Sequence, residues 1–172
     1  MRAVNDEDHI DRWLASHELP GAVDLEVEGL VDRINGIRRR LGRMLDETLA
    51  EFGLTDGEWK ALTHLQLDGP PHRKSVGKLA KWADLSSGAM TNRIDGLERR
   101  GLVKRVPDPD DRRGVLVELT DEGRRTWEES VSVQAEKESL IASALSEDEK
   151  KQLNALLRRL MIAFEKREPG KK

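Results

Sequence analysis

A short polar run at the start of one helical pattern has the chemistry to read DNA bases. Ser86 and Ser87 are both competent helix N-caps, and Thr91 and Asn92 follow on what would be the outer face of the first two turns. Asparagine can pair bidentately with adenine, and serine and threonine hydroxyls bond to bases or to phosphates. Taken alone, the run is more typical of an ordinary helix start with a solvated polar face.

A second group, Asp111-Arg112-Arg113, lies in a Pro/Asp-rich turn between two β-rich segments. Arginine is the preferred side chain for the narrow minor groove, where the negative potential of DNA is enhanced. Asp111 could position the Arg113 guanidinium through a charge-assisted pair. The alternative is a surface turn with a local ion pair that contributes little.

These two groups belong to one continuous pattern between Ser75 and Thr120. Two short helical patterns are separated by Asp84-Leu85-Ser86, and Gly101 ends the second; its apolar positions are spaced four and three residues apart, at Met90, Ile94 and Leu97. The β-rich run GLVKRV, the charged turn and the β-rich run VLVEL follow. This order predicts a winged helix-turn-helix, whose second helix enters the major groove.

Charge is distributed unevenly along the 172 residues. The net charge is −3, yet residues 72–113 contain eleven Lys/Arg and six Asp/Glu, so this segment carries +5 and the remainder −8. Positive charge therefore coincides with the segment that is predicted to face DNA, which matters more for binding than the overall charge.

The flanking segments predict long amphipathic helices. We expect a short helix near 6–16 and a long one near 24–52; capping signals at Thr55–Glu58, Thr120 and Ser146–Glu149 start three more. A helix of nearly thirty residues exceeds what its own small domain can cover, which favours a dimer. The expected fold is mainly α with a small β-hairpin wing, a winged helix-turn-helix in a two-fold homodimer. The expected organisation is an N-terminal helix at 1–21, a dimerisation platform at 22–55 and 120–166, a DNA-binding lobe at 56–119 and a tail at 167–172.

Other classes of function find little support. The sequence has no cysteine, no Gly-rich phosphate loop and no metal-ligand spacing among its four histidines, so we expect neither an enzyme nor a bound cofactor or metal. It also has no apolar run of membrane-spanning length and no signal-peptide pattern, and we expect a cytoplasmic protein.

The run LSSGAMTNRIDGLERRGLVKRVPDPDDRRGVLVELTDEG closely resembles the signature of the MarR family of bacterial transcription regulators. The similarity extends from about Val27 to Phe164. It implies an obligate homodimer that binds a pseudopalindromic operator, with Asp111 and Arg113 as the wing-tip pair and Arg113 in the minor groove.

The N-terminal helix with its tryptophan, together with SSGAMTNRID, further resembles the urate-responsive branch of that family. That resemblance implies a ligand site at Trp13, Arg93 and Arg105, with Lys60 at a position where the branch has an acid. An added cation favours a more anionic effector, such as an aromatic or polycarboxylic acid. Structural ion pairs or phosphate contacts are the alternative roles of the two arginines. A repressor released by such an effector is the expected function, and a ligand-independent DNA-binding or architectural protein is the alternative.

Overall fold

The computed structural model describes residues 7–18, 20–111 and 113–167. Two compact units divide the chain, one up to Val131 and the other from Ser132 onward. In chain order the elements are α1 (His9–Ser16), α2 (Leu25–Glu51), α3 (Asp56–Leu67), β1 (Arg73–Ser75), α4 (Val76–Trp82), α5 (Ser87–Arg99), β2 (Val103–Pro107), β3 (Val115–Leu119), α6 (Asp121–Ala144) and α7 (Glu147–Arg167).

Side-chain caps fix where the helices begin. Thr55 and Glu58 form a reciprocal capping box at α3, and Ser86 caps α5 by accepting a hydrogen bond from the Ala89 N–H at 3.2 Å. Ser146 and Glu149 exchange the same reciprocal bonds at the start of α7. Each cap satisfies backbone donors that have no partner within the helix, and the helix starts predicted from sequence are confirmed.

The core of the first unit joins α3, α4 and α5 to a small sheet. The three side chains predicted to face inward from α5, Met90, Ile94 and Leu97, are fully buried. Side chains on the neighbouring elements are fully buried as well: Leu62, Leu65, Leu79, Val103 and Val117. The C-terminal end of α2 enters the same core through Leu49, with Leu45 and Phe52 packed against it. The burial of this apolar surface provides most of the free energy that holds α5 against the rest of the lobe.

The sheet is antiparallel with strand order β1-β3-β2, so β3 is the central strand. On one face Glu118 of β3 lies between Arg73 of β1 and Lys104 of β2; its carboxylate is 2.8 Å from the lysine Nζ and also accepts a bond from the arginine. The hydrogen bond from Lys104, followed by that from Arg73, lowers the pKa of Glu118. The predicted hairpin is confirmed, but sequence reasoning missed β1.

Trp82 at the end of α4 lies outside the core, although a large aromatic side chain on a helix that packs against a core is usually well buried. The side chain is 47% exposed and stacks against the imidazole of His64 on α3, with 4.7 Å between ring centroids. Burial first, and the nearby Lys74 ammonium second, lower the pKa of His64. Trp82 therefore lies at the edge of the lobe, because the core positions of α4 are filled by Leu79 and Ala80.

The second unit consists of the end of α6 and the whole of α7. Large apolar side chains of α7 are well exposed in the single chain, among them Leu153, Leu156, Met161, Ile162 and Phe164. The N-terminal half of α2, in the first unit, exposes a similar series at Val27, Leu30, Ile34 and Ile37. No helix in the described parts of the chain is long and apolar enough to cross a membrane.

Candidate nucleic-acid interface

The start of α5 presents an uncovered polar surface. Ser87, Thr91 and Asn92 are exposed, while Met90 between them anchors the helix in the core. The Thr91 hydroxyl donates to the Ser87 carbonyl at 2.9 Å, which leaves its oxygen free to accept another bond. The Asn92 amide makes no hydrogen bond with any described residue. Its donors and acceptor are therefore available to an external partner.

The turn between β2 and β3 is shaped by backbone and carboxylate hydrogen bonds. Asp111 Oδ1 accepts from the Arg113 N–H at 2.9 Å, and Asp108 Oδ1 accepts from the Asp110 N–H at 3.0 Å. A Cβ on Gly114 would lie 2.8 Å from the Cβ of Asp108, so the turn requires a glycine there. Sequence reasoning overlooked Gly114, although a glycine directly after a charged turn is a common signal for tight backbone geometry.

Asp111 and Arg113 are adjacent as expected, but their contact differs from the one predicted. The carboxylate holds the backbone N–H of Arg113, whereas a side-chain ion pair was expected. Two residues of separation suit such a turn, in which an Asp side chain bonds the amide two positions on. Arg113 is exposed and has no ion pair with the described residues. Arg112, the other predicted wing residue, lies outside the described residues.

The wing is tied to α5 by Arg105 on β2. Its guanidinium bonds to Asp95 Oδ1 at 2.5 Å and also to Glu98, while its backbone N–H donates to Glu98 at 3.0 Å. The hydrogen bond to Asp95, and after it the one to Glu98, raise the pKa of Arg105. The two acids, which sequence reasoning did not single out, thus fix the base of the wing relative to α5.

A single hydroxyl joins three elements at the other end of α5. Thr120 Oγ1 donates toward the carbonyls of Gly101 (2.7 Å) and Leu102 (3.0 Å) and accepts from the Gly123 N–H at 3.0 Å. Gly101 has a φ of +71°, which allows the chain to leave α5 and enter β2. Gly123 lies so close to Leu102 that a Cβ would be 2.0 Å from its carbonyl oxygen.

The four residues expected to hold an effector do not line one cavity. Trp13 is 41% exposed and lines a cavity between α1 and α2 together with His9, Ile10, Asp32 and Arg39. Lys60, Arg93 and Arg105 are not among the residues that line it. Lys60 pairs with Asp56 at 2.7 Å, one helical turn away.

Arg93 differs from these paired cations. It extends from α5 toward α3, where its Nε is buried without a hydrogen-bond partner in the described structure, and a Cβ on Gly57 would lie 3.3 Å from that nitrogen. Asp56 already pairs with Lys60, Asp95 and Glu98 already pair with Arg105, and Trp13 lines a cavity with other residues; a ligand site formed by all four residues therefore stays a prediction.

A family model described as the MarR family matches residues 54–115, from the turn before α3 to the start of β3. The HTH-type transcriptional regulator PecS of Dickeya dadantii is 31% identical over 161 residues, which cover 92% of this chain and 94% of PecS. The HTH-type transcriptional repressor YetL of Bacillus subtilis is 32% identical and covers 73% of this chain and 77% of YetL.

Among solved structures, a MarR family protein from Bacillus stearothermophilus is 26% identical, with a TM-score of 0.70 over 81% of this chain and 95% of that protein. NadR in complex with 4-hydroxyphenylacetate is 25% identical, with a TM-score of 0.58 over 84% of this chain and 96% of NadR.

Proposed function

The chain belongs to the MarR family of DNA-binding transcription regulators, and from this premise we propose that it is a homodimeric repressor of a pseudopalindromic operator, released by a small anionic effector. The observation that carries the proposal is the pairing of an uncovered polar surface on α5 with a basic wing that is fixed to the same helix.

In the proposed complex, the first two turns of α5 lie in the major groove. Asn92 would pair with a base, because its amide is exposed and unbonded, and Thr91 and Ser87 would contact bases or phosphates. The N-terminus of α5, capped by Ser86, would point its remaining backbone N–H groups at a phosphate. Arg113, and Arg112 beside it in sequence, would enter the adjacent minor groove.

The homodimer is proposed from the exposed apolar side chains of α2 and α7. Isolated exposed apolar residues are ordinary, but a series on one face of a helix indicates an interaction surface. The α2 series recurs at three- and four-residue steps. Two lobes related by a two-fold axis would then place two copies of α5 on successive turns of the duplex.

Release by an effector is proposed from two arginines of α2 beside the N-terminal helix, Arg33 and Arg39, and from the solved structure of NadR in complex with 4-hydroxyphenylacetate. The proposed ligand lies beside Trp13, in a cavity that Arg93 does not line. Arg93 is a separate candidate contact for an anion, because its Nε has no hydrogen-bond partner in the described structure. Arg105 and Lys60 have structural roles in this proposal, since Asp95, Glu98 and Asp56 already neutralise them. The ligand must bind the DNA-free arrangement of the lobes better than the DNA-bound one.

The test is selection of genomic fragments by the purified full-length protein, followed by anisotropy titrations with and without aromatic acids. We expect a two-fold symmetric sequence, a stoichiometry of two chains per site and weaker binding in the presence of an effective acid. Tight binding that no acid weakens would instead favour a ligand-independent repressor or architectural protein. Binding without sequence preference would contradict the operator proposal itself.

A further inference from the structure

Two tryptophans connect α3 of the DNA-binding lobe to α6, the helix that leaves the lobe after β3. The Trp59 indole N–H on α3 donates to Ser130 Oγ on α6 at 3.1 Å. In the opposite direction, the Trp127 indole N–H on α6 donates to Thr63 Oγ1 on α3 at 2.9 Å. Each helix therefore gives the other one donor and one acceptor.

The surroundings of these bonds restrict how the two helices can lie. Ser130 is 0% exposed and donates its own hydroxyl hydrogen to the Trp127 carbonyl at 2.8 Å, so its oxygen is left to accept from Trp59. Both tryptophan rings also pack against the core of the lobe. An indole N–H can only donate, and a buried donor without an acceptor is unfavourable. The two bonds therefore favour one orientation of α6 relative to α3.

Two separate bonds fix an angle that a single bond would leave free. Trp59 and Thr63 are four residues apart on α3, and Trp127 and Ser130 are three residues apart on α6. At a rise of 1.5 Å per residue, the bonds are about 5 Å apart along the helices. One bond would act as a pivot for α6, whereas a rotation about either bond lengthens the other. Thr120 holds the first turn of α6 independently, two turns before Trp127.

We propose that Trp59, Thr63, Trp127 and Ser130 form a clamp that sets the direction in which α6 leaves the lobe, and thereby determines which distance between operator half-sites the dimer accepts. The proposal rests on the homodimer and operator proposed above and adds the residues that set operator geometry. These four are positioning residues, because none belongs to α5 or to the wing.

The link to operator geometry runs along α6. This helix continues without interruption from Asp121 to Ala144, and Leu140 and Ile141 near its end are exposed apolar residues of the kind that a partner subunit covers. A change in the direction of α6 would therefore move each α5 relative to its copy in the partner. One base pair shifts a half-site by about 3.4 Å and turns it by about 35°, so small changes of this kind matter for DNA binding.

A role in core packing alone makes a different prediction. The tryptophan rings would stabilise the lobe through their apolar surface, which requires no acceptor at positions 63 and 130. Thr63→Val and Ser130→Ala nearly keep the packing and remove the oxygen that each indole N–H binds. These substitutions therefore separate the clamp from the packing of the rings.

The test measures the affinity for duplexes that carry both half-sites at the native spacing or at spacings changed by one and two base pairs. The wild type should bind the native spacing about tenfold or more tightly than a spacing changed by one base pair, because the second α5 then misses its groove. The double variant Thr63→Val, Ser130→Ala should lose most of this preference. Its affinity for a single half-site should equal that of the wild type, because α5 and the wing are unchanged.

Val117→Ala is the stability control, because it removes buried methyl groups from β3 and touches neither bond. It should keep the spacing preference of the wild type. Thr63→Ser, which retains the acceptor oxygen, should keep it as well. Either single variant, Thr63→Val or Ser130→Ala, should lose part of the preference and serves if the double variant does not fold. A wild-type preference in the folded clamp variants, or an equal loss in Val117→Ala, would overturn the proposal.

A second measurement needs no DNA. The chain has no cysteine, so Lys81→Cys at an exposed position of α4 places one spin label on each lobe of the dimer. The distribution of distances between the two labels should be narrow in the otherwise unchanged protein and broader in the clamp variants. An equally narrow distribution in these variants would contradict the clamp.

The two measurements let the clamp and the repressor proposal fail independently. If the clamp variants broaden the distance distribution but the wild-type dimer binds no operator, the repressor proposal fails and the clamp stands. If the wild type binds its operator tightly and the clamp variants change neither the spacing preference nor the distances, the clamp fails and the repressor proposal stands. A chain that stays monomeric would overturn both.

Discussion

Arg113→Ala should weaken operator binding strongly while the fold is retained. Arg113 is exposed, has no ion pair with the described residues and contributes only its backbone N–H to the wing turn. Removing the side chain therefore removes little from the folded state, and the change in unfolding free energy should stay within about 0.5 kcal/mol.

The loss of DNA affinity follows from the two wings of the proposed dimer. A hydrogen bond to a charged group contributes about 1.5–3 kcal/mol, so two wings lose at least about 3 kcal/mol, or roughly 150-fold in Kd. The loss of two cations should also make the plot of log affinity against log salt shallower by about 1.8, since each phosphate contact contributes about 0.9 to the slope.

Fluorescence anisotropy across a salt series measures both quantities on one operator. Arg125→Ala is the matched control: it removes the same charge from an exposed position on α6, where the side chain bonds to Glu122. Equal affinity losses in the two variants would show that only overall charge matters. An unchanged salt slope for Arg113→Ala would refute the wing contact altogether.

Three further outcomes are expected. Arg105→Gln should lower operator affinity several-fold. The free energy of unfolding should fall by about 1 kcal/mol or less, because the ion pairs of Arg105 are partly exposed. Arg105→Lys should restore part of the affinity, and equal affinity losses in the two variants would contradict a tethering role. Gly123→Ala should destabilise the protein markedly in thermal unfolding, because the new Cβ would collide with the Leu102 carbonyl. Gly42→Ala should stabilise the protein by up to about 1 kcal/mol, because a Cβ there meets nothing within 4 Å and alanine favours the helix. Glu118→Gln should make the free energy of unfolding less dependent on pH in the acid range. Because the pKa of Glu118 is lowered in the folded state, its ionised form stabilises the fold above the unfolded pKa, and this stabilisation is lost as pH falls through the folded pKa. The same acid dependence in wild type and variant would contradict the assignment.

Sequence reasoning predicted best where a local signal determines the structure. Caps at Thr55, Ser86 and Ser146 act within three residues, so residue type and spacing suffice to place the helix starts. The buried side of α5 followed from its spacing for the same reason. The family resemblance, based on the contiguous wing and helix motif, is confirmed by the comparisons.

Features that depend on distant partners were missed. β1 has three residues and exists because it pairs with β3 more than forty positions away, a contact that no short pattern in RKS announces. Trp82 is a large aromatic residue of the kind found in cores, yet its side chain stacks on the His64 ring of another helix at the edge of the lobe. The cavity likewise combines α1 and α2, and Asp32 and Arg39 are ordinary helix-surface residues until the second helix is placed beside them.

The Thr120 hydroxyl has a consequence for how motion can spread through the lobe. Because one side chain holds the exit of α5, the entry to β2 and the first turn of α6, none of the three can swing freely while the other two stay still. Hydrogen exchange should therefore find the Leu102, Thr120 and Gly123 amides opening in a single cooperative event. Replacing Thr120 with valine, which keeps the shape and removes the hydroxyl, should split that event into separate, faster ones.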